Sequence, residues 1–440
     1  MWQGSDTDFN KDKKRKGEKE KRMKWIGDEQ LKIAGLQMVM LISFCNACGQ
    51  TKTSNGVNKS GDFSLVAIGD AGEKTAILKN NAAAMTEMFR QDRFDALLFL
   101  GDNFYPTGLN VDPDADFRKE VPKKIKEVLG PFREVMAGLG RQNVHAVAGN
   151  HDYYKKLVMK RSFLLGLFSI EAMPIGITNK GNQRADTISS WTYHYGLPRQ
   201  AIYQTDRQSQ DSLQIIFFDS AILLRTQPQT WRPYLAQFHH LLVSTKNRPQ
   251  IKWRLLAMHH PLYSLSEHGG YSEWDSEART VNYVNRCDAD SAAVSYFYNT
   301  VDPEDLCAPR YRAYHDSVLA TIQRSGVRVQ MALAGHDHAL QFLYYPKVNA
   351  GCENCPKIYV VSGAGAKENR VKAPAPARGE FTCPDSSAQR QGKSQAGFVR
   401  LDFQAGQWRA RFFNGKTKRE INMGGGRKEF LIQADGTLAN

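Results

Sequence analysis

"FDALLFLGDNFYPTG", residues 94–108, is the stretch on which the fold turns. Its apolar run, residues 96–100, has no polar break, as expected of a strand covered on both faces. The run stops at Gly101 and Asp102, and Tyr105 follows. Five other runs end the same way: "FSLVAIGD" from Phe63, "VHAVAGNHD" from Val144, "WRLLAMHH" from Trp253, "VQMALAGHDH" from Val329 and "IYVVSGAG" from Ile358. Helical spacing of apolar residues appears over 74–90, 117–138, 231–246 and 315–324. Alternating strands and helices predict an α/β fold with a largely parallel or mixed sheet. In such sheets ligands bind beyond the carboxyl ends of the strands, so the polar residues ending these runs are expected to converge.

The chain is long enough for a large core, with 440 residues of which 41% are hydrophobic. Its net charge is +14, and residues 1–48 hold ten basic and seven acidic side chains, so the remainder is basic as well. A basic surface concentrates anions. No alternation of Arg/Lys with aromatics and no nucleic-acid motif accompanies it, so no specific nucleic-acid partner is expected.

The charged run "KDKKRKGEKEKRMK" precedes "IAGLQMVMLISFCNACGQ", which is too short for a membrane-spanning helix. This is the order of a secretory leader, and Ala47-Cys48-Gly49 resembles a lipoprotein cleavage site with Cys48 as the lipid anchor. Residues 1–48 are therefore expected to be a signal or lipoprotein leader on an exported, periplasmic, membrane-anchored or secreted protein. Residues 49–61 form a polar linker, 62–415 the catalytic domain and 416–440 a C-terminal tail, with no membrane span in the mature chain. Within the domain, 271–314 and 366–395 break the rhythm and are expected to be insertions. Seven cysteines suit an oxidising compartment. Cys287–Cys307 is a plausible disulfide, and Cys383 is expected to pair with Cys352 or Cys355.

The strand-end side chains are Asp70, Asp102 with Tyr105, Asn150 with His151 and Asp152, His259 with His260, and His336 with His338. Any one alone is an ordinary turn or cap residue. Together they offer oxygen and imidazole donors without thiolates, a set that suits zinc, manganese or iron. They are too many for one tetrahedral ion, which favours two ions sharing a carboxylate; such a pair can clamp a phosphoryl group and activate water. Asp219 is read as a turn residue or as support for the site. Asp152 is expected to orient the His151 imidazole.

The ordered series "GDAG" (69–72), "GDNFY" (101–105), "GNHD" (149–152), "AMHHP" (257–261) and "GHDH" (335–338) resembles the calcineurin-like metallophosphoesterases, and within them the purple acid phosphatases. The first motif departs from the D-x-H of other members, having Gly72 at the His position, and Tyr105 is the replacement that marks the purple branch. The resemblance implies a four-layer αββα sandwich with mixed β-sheets. It implies ferric iron held by Asp70, Tyr105 and His338, and a divalent ion (Fe, Zn or Mn) held by Asn150, His259 and His336, with Asp102 bridging. His260 is expected to be a neighbour only. His151 would face the substrate. "HHPLYSLSEHG" resembles the small mammalian-type branch and makes His268, helped by Glu267, the second candidate acid. The implied activity is acid hydrolysis of small phosphate monoesters by a metal-bound hydroxide. A phosphodiesterase or nucleotide pyrophosphatase using the same centre is the alternative.

Overall fold

The structure is a computed structural model. It describes residues 63–109, 117–164, 167–178, 180–206, 210–269, 273–275, 280–282, 304–306, 308–346, 351–369, 389–393, 395–404, 406–423 and 427–439. The expected leader and linker, and Cys287, Cys307 and Cys383, lie outside the described residues.

In chain order the strands begin with β1 Ser64–Ile68, β2 Ala96–Leu100, β3 Val144–Val147, β4 Tyr154–Leu164, β5 Leu167–Thr178, β6 Thr192–His194 and β7 Arg199–Gln204. There follow β8 Ser212–Phe218, β9 Ile251–Met258, β10 Glu273–Asp275, β11 Thr280–Asn282, β12 Met331–Ala334 and β13 Leu340–Tyr344. The last are β14 Ile358–Ser362, β15 Gln389–Lys393, β16 Gly397–Gln404, β17 Gln407–Asn414, β18 Arg419–Glu420 and β19 Glu429–Ile432. One sheet runs β18-β17-β16-β1-β2-β3-β6, with β19 also on β17; the other runs β15-β13-β14-β12-β9-β8-β7. Both are mixed: β1, β2, β3 and β6 are parallel, as are β8, β9, β12 and β14, while their flanking partners are antiparallel. β4–β5 and β10–β11 pair as separate hairpins.

Alternation along each strand divides the core. Leu65 and Ala67 of β1, Leu98 and Leu100 of β2, and Ile215 and Phe217 of β8 share one buried cluster with residues of both sheets. Their alternates Val66, Ile68, Leu97, Phe99, Ile216 and Phe218 join a second cluster with helix residues such as Leu78, Met85, Phe238 and Val318. Sheet against sheet with helices outside is the expected four-layer arrangement, and it explains why these strands read as largely apolar runs.

Local chemistry sets the helix ends. Thr75 caps Ala76–Gln91 by accepting from the Leu78 N–H at 3.1 Å. The single helix expected over 117–138 is broken into Phe117–Leu129, a 3-10 turn at Gly130–Phe132 and Arg133–Leu139, because Pro131 has no N–H to continue the ladder. The helix expected at 315–324 starts earlier, at Pro309, and ends at Gly326 in the left-handed conformation. The strands β18 and β19, in the expected tail, pair with β17, and β15, in the expected insertion 366–395, pairs with β13.

The disulfide expectation is corrected: Cys352 and Cys355 pair with each other. Three residues of separation place their Cα atoms 5.4 Å apart in the turn before β14, within normal bridging range, so neither needs Cys383. No described helix is long and apolar enough to cross a membrane.

Candidate metal centre

The carboxyl ends of β1, β2, β3, β9 and β12 meet where the two sheets touch. Gly69 N–H donates to the Ser362 carbonyl at 2.6 Å, Asp70 N–H to Gly101 at 3.0 Å and Gly335 N–H to His259 at 3.0 Å, tying strand ends to one another. Asp70, Asp102 and His336 all have positive φ, at 56°, 51° and 69°. For residues with a Cβ this conformation is strained, and surrounding contacts must hold it in place. Those contacts are visible: the Asp70 carboxylate accepts the His336 N–H at 2.7 Å, and Asp102 accepts the His151 N–H at 2.8 Å.

Asp70 is wholly buried and Asp102 is 2% exposed. The Tyr105 hydroxyl donates to Asp70 Oδ1 at 2.9 Å and lies 3.1 Å from His338 Nε2, which is itself 3.5 Å from Asp70. His259 Nε2 faces Asn150 Oδ1 at 2.8 Å and Asp102 Oδ1 at 3.3 Å. The Asp70-Tyr105-His338 trio and the Asn150-His259 pair thus form two half-sites, joined by the contacts of Asp102 and His259. The His336 ring packs 5.1 Å from that of His259. Asp70, Asp102 and His259 present ligand atoms within 4.8 Å of one another, and so do His259, His260 and His336. His260, expected as a bystander, is therefore the third imidazole of that second group. Its Nδ1 bonds Ser220 Oγ at 2.9 Å, while its buried Nε2 has no hydrogen-bond partner.

The residues fit a cation on chemical grounds. His259 Nδ1 must donate to the Leu100 carbonyl, 2.8 Å away, which leaves the Nε2 lone pair of a neutral ring facing two oxygens. Only a proton or a metal between them relieves that contact. Among the described residues neither Asp70 nor Asp102 pairs with a lysine or arginine, so two buried carboxylates lack a permanent counter-charge. Burial would raise the Asp70 carboxyl, but His338, His259 and Tyr105 outweigh it and hold it below the usual range. Burial pushes the Tyr105 phenol well up, with Asp102 and Asp70 adding to it, so a phenolate here requires a cation. Burial, reinforced by neighbouring His268 and His260, holds His336 well down and therefore neutral, the form that binds metal.

The expected substrate-side residues lie at the rim. His151 has a side chain 39% exposed, and its Nδ1 donates to the Pro106 carbonyl at 2.7 Å. The other nitrogen, Nε2, lies 3.9 Å from Asp102 Oδ2. The His268 ring lies 4.2 Å from that of His336, tilted by 33°, and the His268 backbone N–H donates to Asp337 at 3.0 Å. The side chain of Glu267 lies outside the described residues. Lys367 Nζ sits 3.8 Å above the Tyr105 ring and pairs with Glu73 at 2.9 Å.

Asp152 does not orient the His151 imidazole. Its carboxylate accepts from the Asn103, Phe104 and Gly149 N–H groups and from Asn103 Nδ2, so it pins the Asp102 loop to the Asn150 loop. The physical reason is its burial: it faces three unpaired backbone donors, whereas His151 is already held by Pro106. Asp219 is the N-cap of Ser220–Arg225, accepting from Ile222 N–H at 3.1 Å. Close packing also fixes two glycines. A Cβ on Gly149 would lie 2.3 Å from Asp102 Oδ1, and one on Gly72 would lie 2.4 Å from the Asp102 carbonyl oxygen. A histidine at position 72 therefore has no room here, and the Tyr105 hydroxyl occupies the Asp70–His338 side instead. Sequence reasoning missed Glu304, which bonds Asn150 and His336, and Arg225, which pairs with Glu304; Glu304 lies in a polar segment without a motif, and no local signal marks it.

A family model described as calcineurin-like phosphoesterase matches residues 63–340. No curated protein matches the chain. Among solved structures, GAP50, described as the anchor in the inner membrane complex of Plasmodium, is 14% identical with a TM-score of 0.51, covering 82% of this chain and 88% of that one. A purple acid phosphatase from yellow lupin (Lupinus luteus) seeds is 14% identical with a TM-score of 0.47, covering 86% of this chain and 55% of that one. PhoD is 13% identical with a TM-score of 0.47, covering 88% and 72%. At such identities the first likeness concerns the fold alone, and the other two carry no weight.

Proposed function

The chain belongs to the calcineurin-like phosphoesterase family, and from that premise we propose that it is a binuclear acid phosphatase of the purple type, hydrolysing phosphate monoesters. The family implies a two-metal site and phosphoester hydrolysis. The observation that carries the finer reading is the contact of Tyr105 with both Asp70 and His338 beside a crowded Gly72. In this reading Asp70, Tyr105 and His338 would hold a ferric ion and Asn150, His259 and His336 a divalent ion, with Asp102 shared. When bound, the pair neutralises phosphate oxygens and activates a water.

The protein's own groups do the rest. With Nδ1–H committed to Pro106, only the imidazolium form of His151 carries an Nε2–H at the rim, and that proton is the one to hold a phosphate oxygen or to pass to the departing alkoxide. His268 stands on the His336 face as a second donor. Buried Asp102 and Asp70 hold the charge that keeps two cations together.

The neighbour described as an anchor raises a second reading, a non-hydrolytic scaffold; the complete donor set and the exposed His151 speak against it. The test is metal-loaded protein on mono- and bis-nitrophenyl phosphate. Monoester turnover that is lost in Asp102→Ala is expected. Preference for the bis-ester would move the protein to the phosphodiesterase alternative, and no turnover of either would favour the scaffold. Export, with residues 1–48 as leader, rests on sequence alone and is tested by N-terminal sequencing of the mature protein.

A further inference from the structure

Glu304 belongs to none of the five motifs, yet it touches two groups of the second half-site. Its Oε2 accepts from Asn150 Nδ2 at 2.9 Å, and its main-chain carbonyl accepts from His336 Nε2 at 3.2 Å. Its Oε1 accepts from Arg225 Nε and a terminal Arg225 nitrogen, each at 2.9 Å. The two side chains are 14% and 13% exposed, so this ion pair is largely shielded from water. Arg225 is the last residue of the helix Ser220–Arg225, which Asp219 caps directly after β8, and it also reaches the Tyr153 carbonyl.

We propose that Glu304 is the positioning residue for the second metal's ligands, an inference that rests on the reading of Asn150, His259 and His336 as that set. A carboxylate can only accept, so Asn150 must turn its NH2 toward Glu304 and its Oδ1 toward His259 Nε2, 2.8 Å away. A carbonyl can only accept, so His336 carries its proton on Nε2 and keeps its lone pair on Nδ1. One residue thus selects the ligand oxygen of Asn150 and the tautomer of His336, and Arg225 ties that residue to the fold. Outer partners of this kind orient metal ligands, and their loss weakens metal affinity by roughly 10–100-fold.

The experiment is calorimetric titration of chelator-treated full-length protein with zinc chloride, alongside thermal unfolding of the metal-free proteins. Wild type is expected to show two binding events. Glu304→Ala should weaken one of them by about 10–100-fold and leave the other unchanged, while the metal-free melting temperature falls because Arg225 loses its partner. Glu304→Gln, whose amide oxygen can still accept from Asn150, should recover most of the loss. If the alanine protein does not fold, Arg225→Gln should weaken the same event to a smaller degree. Two events of wild-type affinity in Glu304→Ala overturn the proposal alone. Equal weakening of both events reduces Glu304 to a fold residue and also overturns it. Fewer than two events in wild type overturn the two-metal reading itself.

Discussion

Replacing Gly72 by alanine adds one methyl group where the first motif packs on the second. The added carbon would lie 2.4 Å from the Asp102 carbonyl oxygen, 2.5 Å from Phe104 N and 2.6 Å from Asn103 C. All three are backbone atoms, so no side chain can swing aside. They are also fastened, since Tyr105 N–H donates to the Gly72 carbonyl at 2.9 Å and Asp152 holds the Asn103 and Phe104 N–H groups. Ordinary contact begins at 3.4 Å, so the Asp102–Phe104 backbone would have to retreat by about 1 Å. Overpacking of this sort costs about 1–3 kcal/mol. The retreat would also carry Tyr105 away from Asp70 and His338, which it meets at 2.9 and 3.1 Å. The alanine protein is therefore expected to melt several degrees lower and to lose the metal of the Tyr105 half-site before that of the other half-site. Differential scanning calorimetry and metal analysis after dialysis read the two effects. An alanine protein with the wild-type melting temperature and full metal content would refute the packing argument. By the same reasoning, Gly72→His combined with Tyr105→Phe, which recreates D-x-H, should be no better than Tyr105→Phe alone.

Two further expectations concern stability. Burial pushes the His145 imidazole down to about 4, where it bonds His194 and Tyr203 between the two sheets. The unfolded chain takes up its proton near 6.5 and the folded chain does not, so acidification favours unfolding, by roughly 2 kcal/mol between about pH 7 and pH 5. Asp152 and Asp219, raised by burial to about 6, act in the opposite sense, because the folded chain protonates them first. His145→Gln should accordingly be less sensitive to acid than wild type in urea unfolding at the two pH values; an unchanged difference would contradict this. Asp219→Ala removes the cap on Ile222 and strands the Gly196 N–H, bonded at 2.6 Å, and the Tyr153 hydroxyl. A loss of about 3 kcal/mol or more in unfolding free energy is expected, and a loss below 1 kcal/mol would show that water replaces the carboxylate.

The sheet architecture was legible because β1, β2, β3, β9, β12 and β14 are almost wholly buried and so leave largely apolar runs, interrupted by few polar residues such as His145 and Arg254. The strand-end groups were legible for a related reason: Gly beside Asp70, Asp102 and His336 accompanies crowded turns with positive φ, and that pattern is written locally. What escaped was long-range. Glu304 reaches Asn150 across 154 positions, and nothing in its neighbours encodes that contact. Asp152 looked like a partner for His151 because it adjoins it, but its acceptors serve N–H groups 48 and 49 residues away. Cys352 and Cys355 are close enough to bridge, a possibility that the distant Cys383 obscured.

The colour of the iron-loaded protein tests the central claim most directly. A phenolate ligand on ferric iron absorbs in the green-yellow, so the wild-type protein should be purple. Tyr105→Phe loaded with excess ferric iron should lack that band. An iron-loaded wild type without that band, or a Tyr105→Phe protein that keeps it, would contradict the assignment of Tyr105 to the metal.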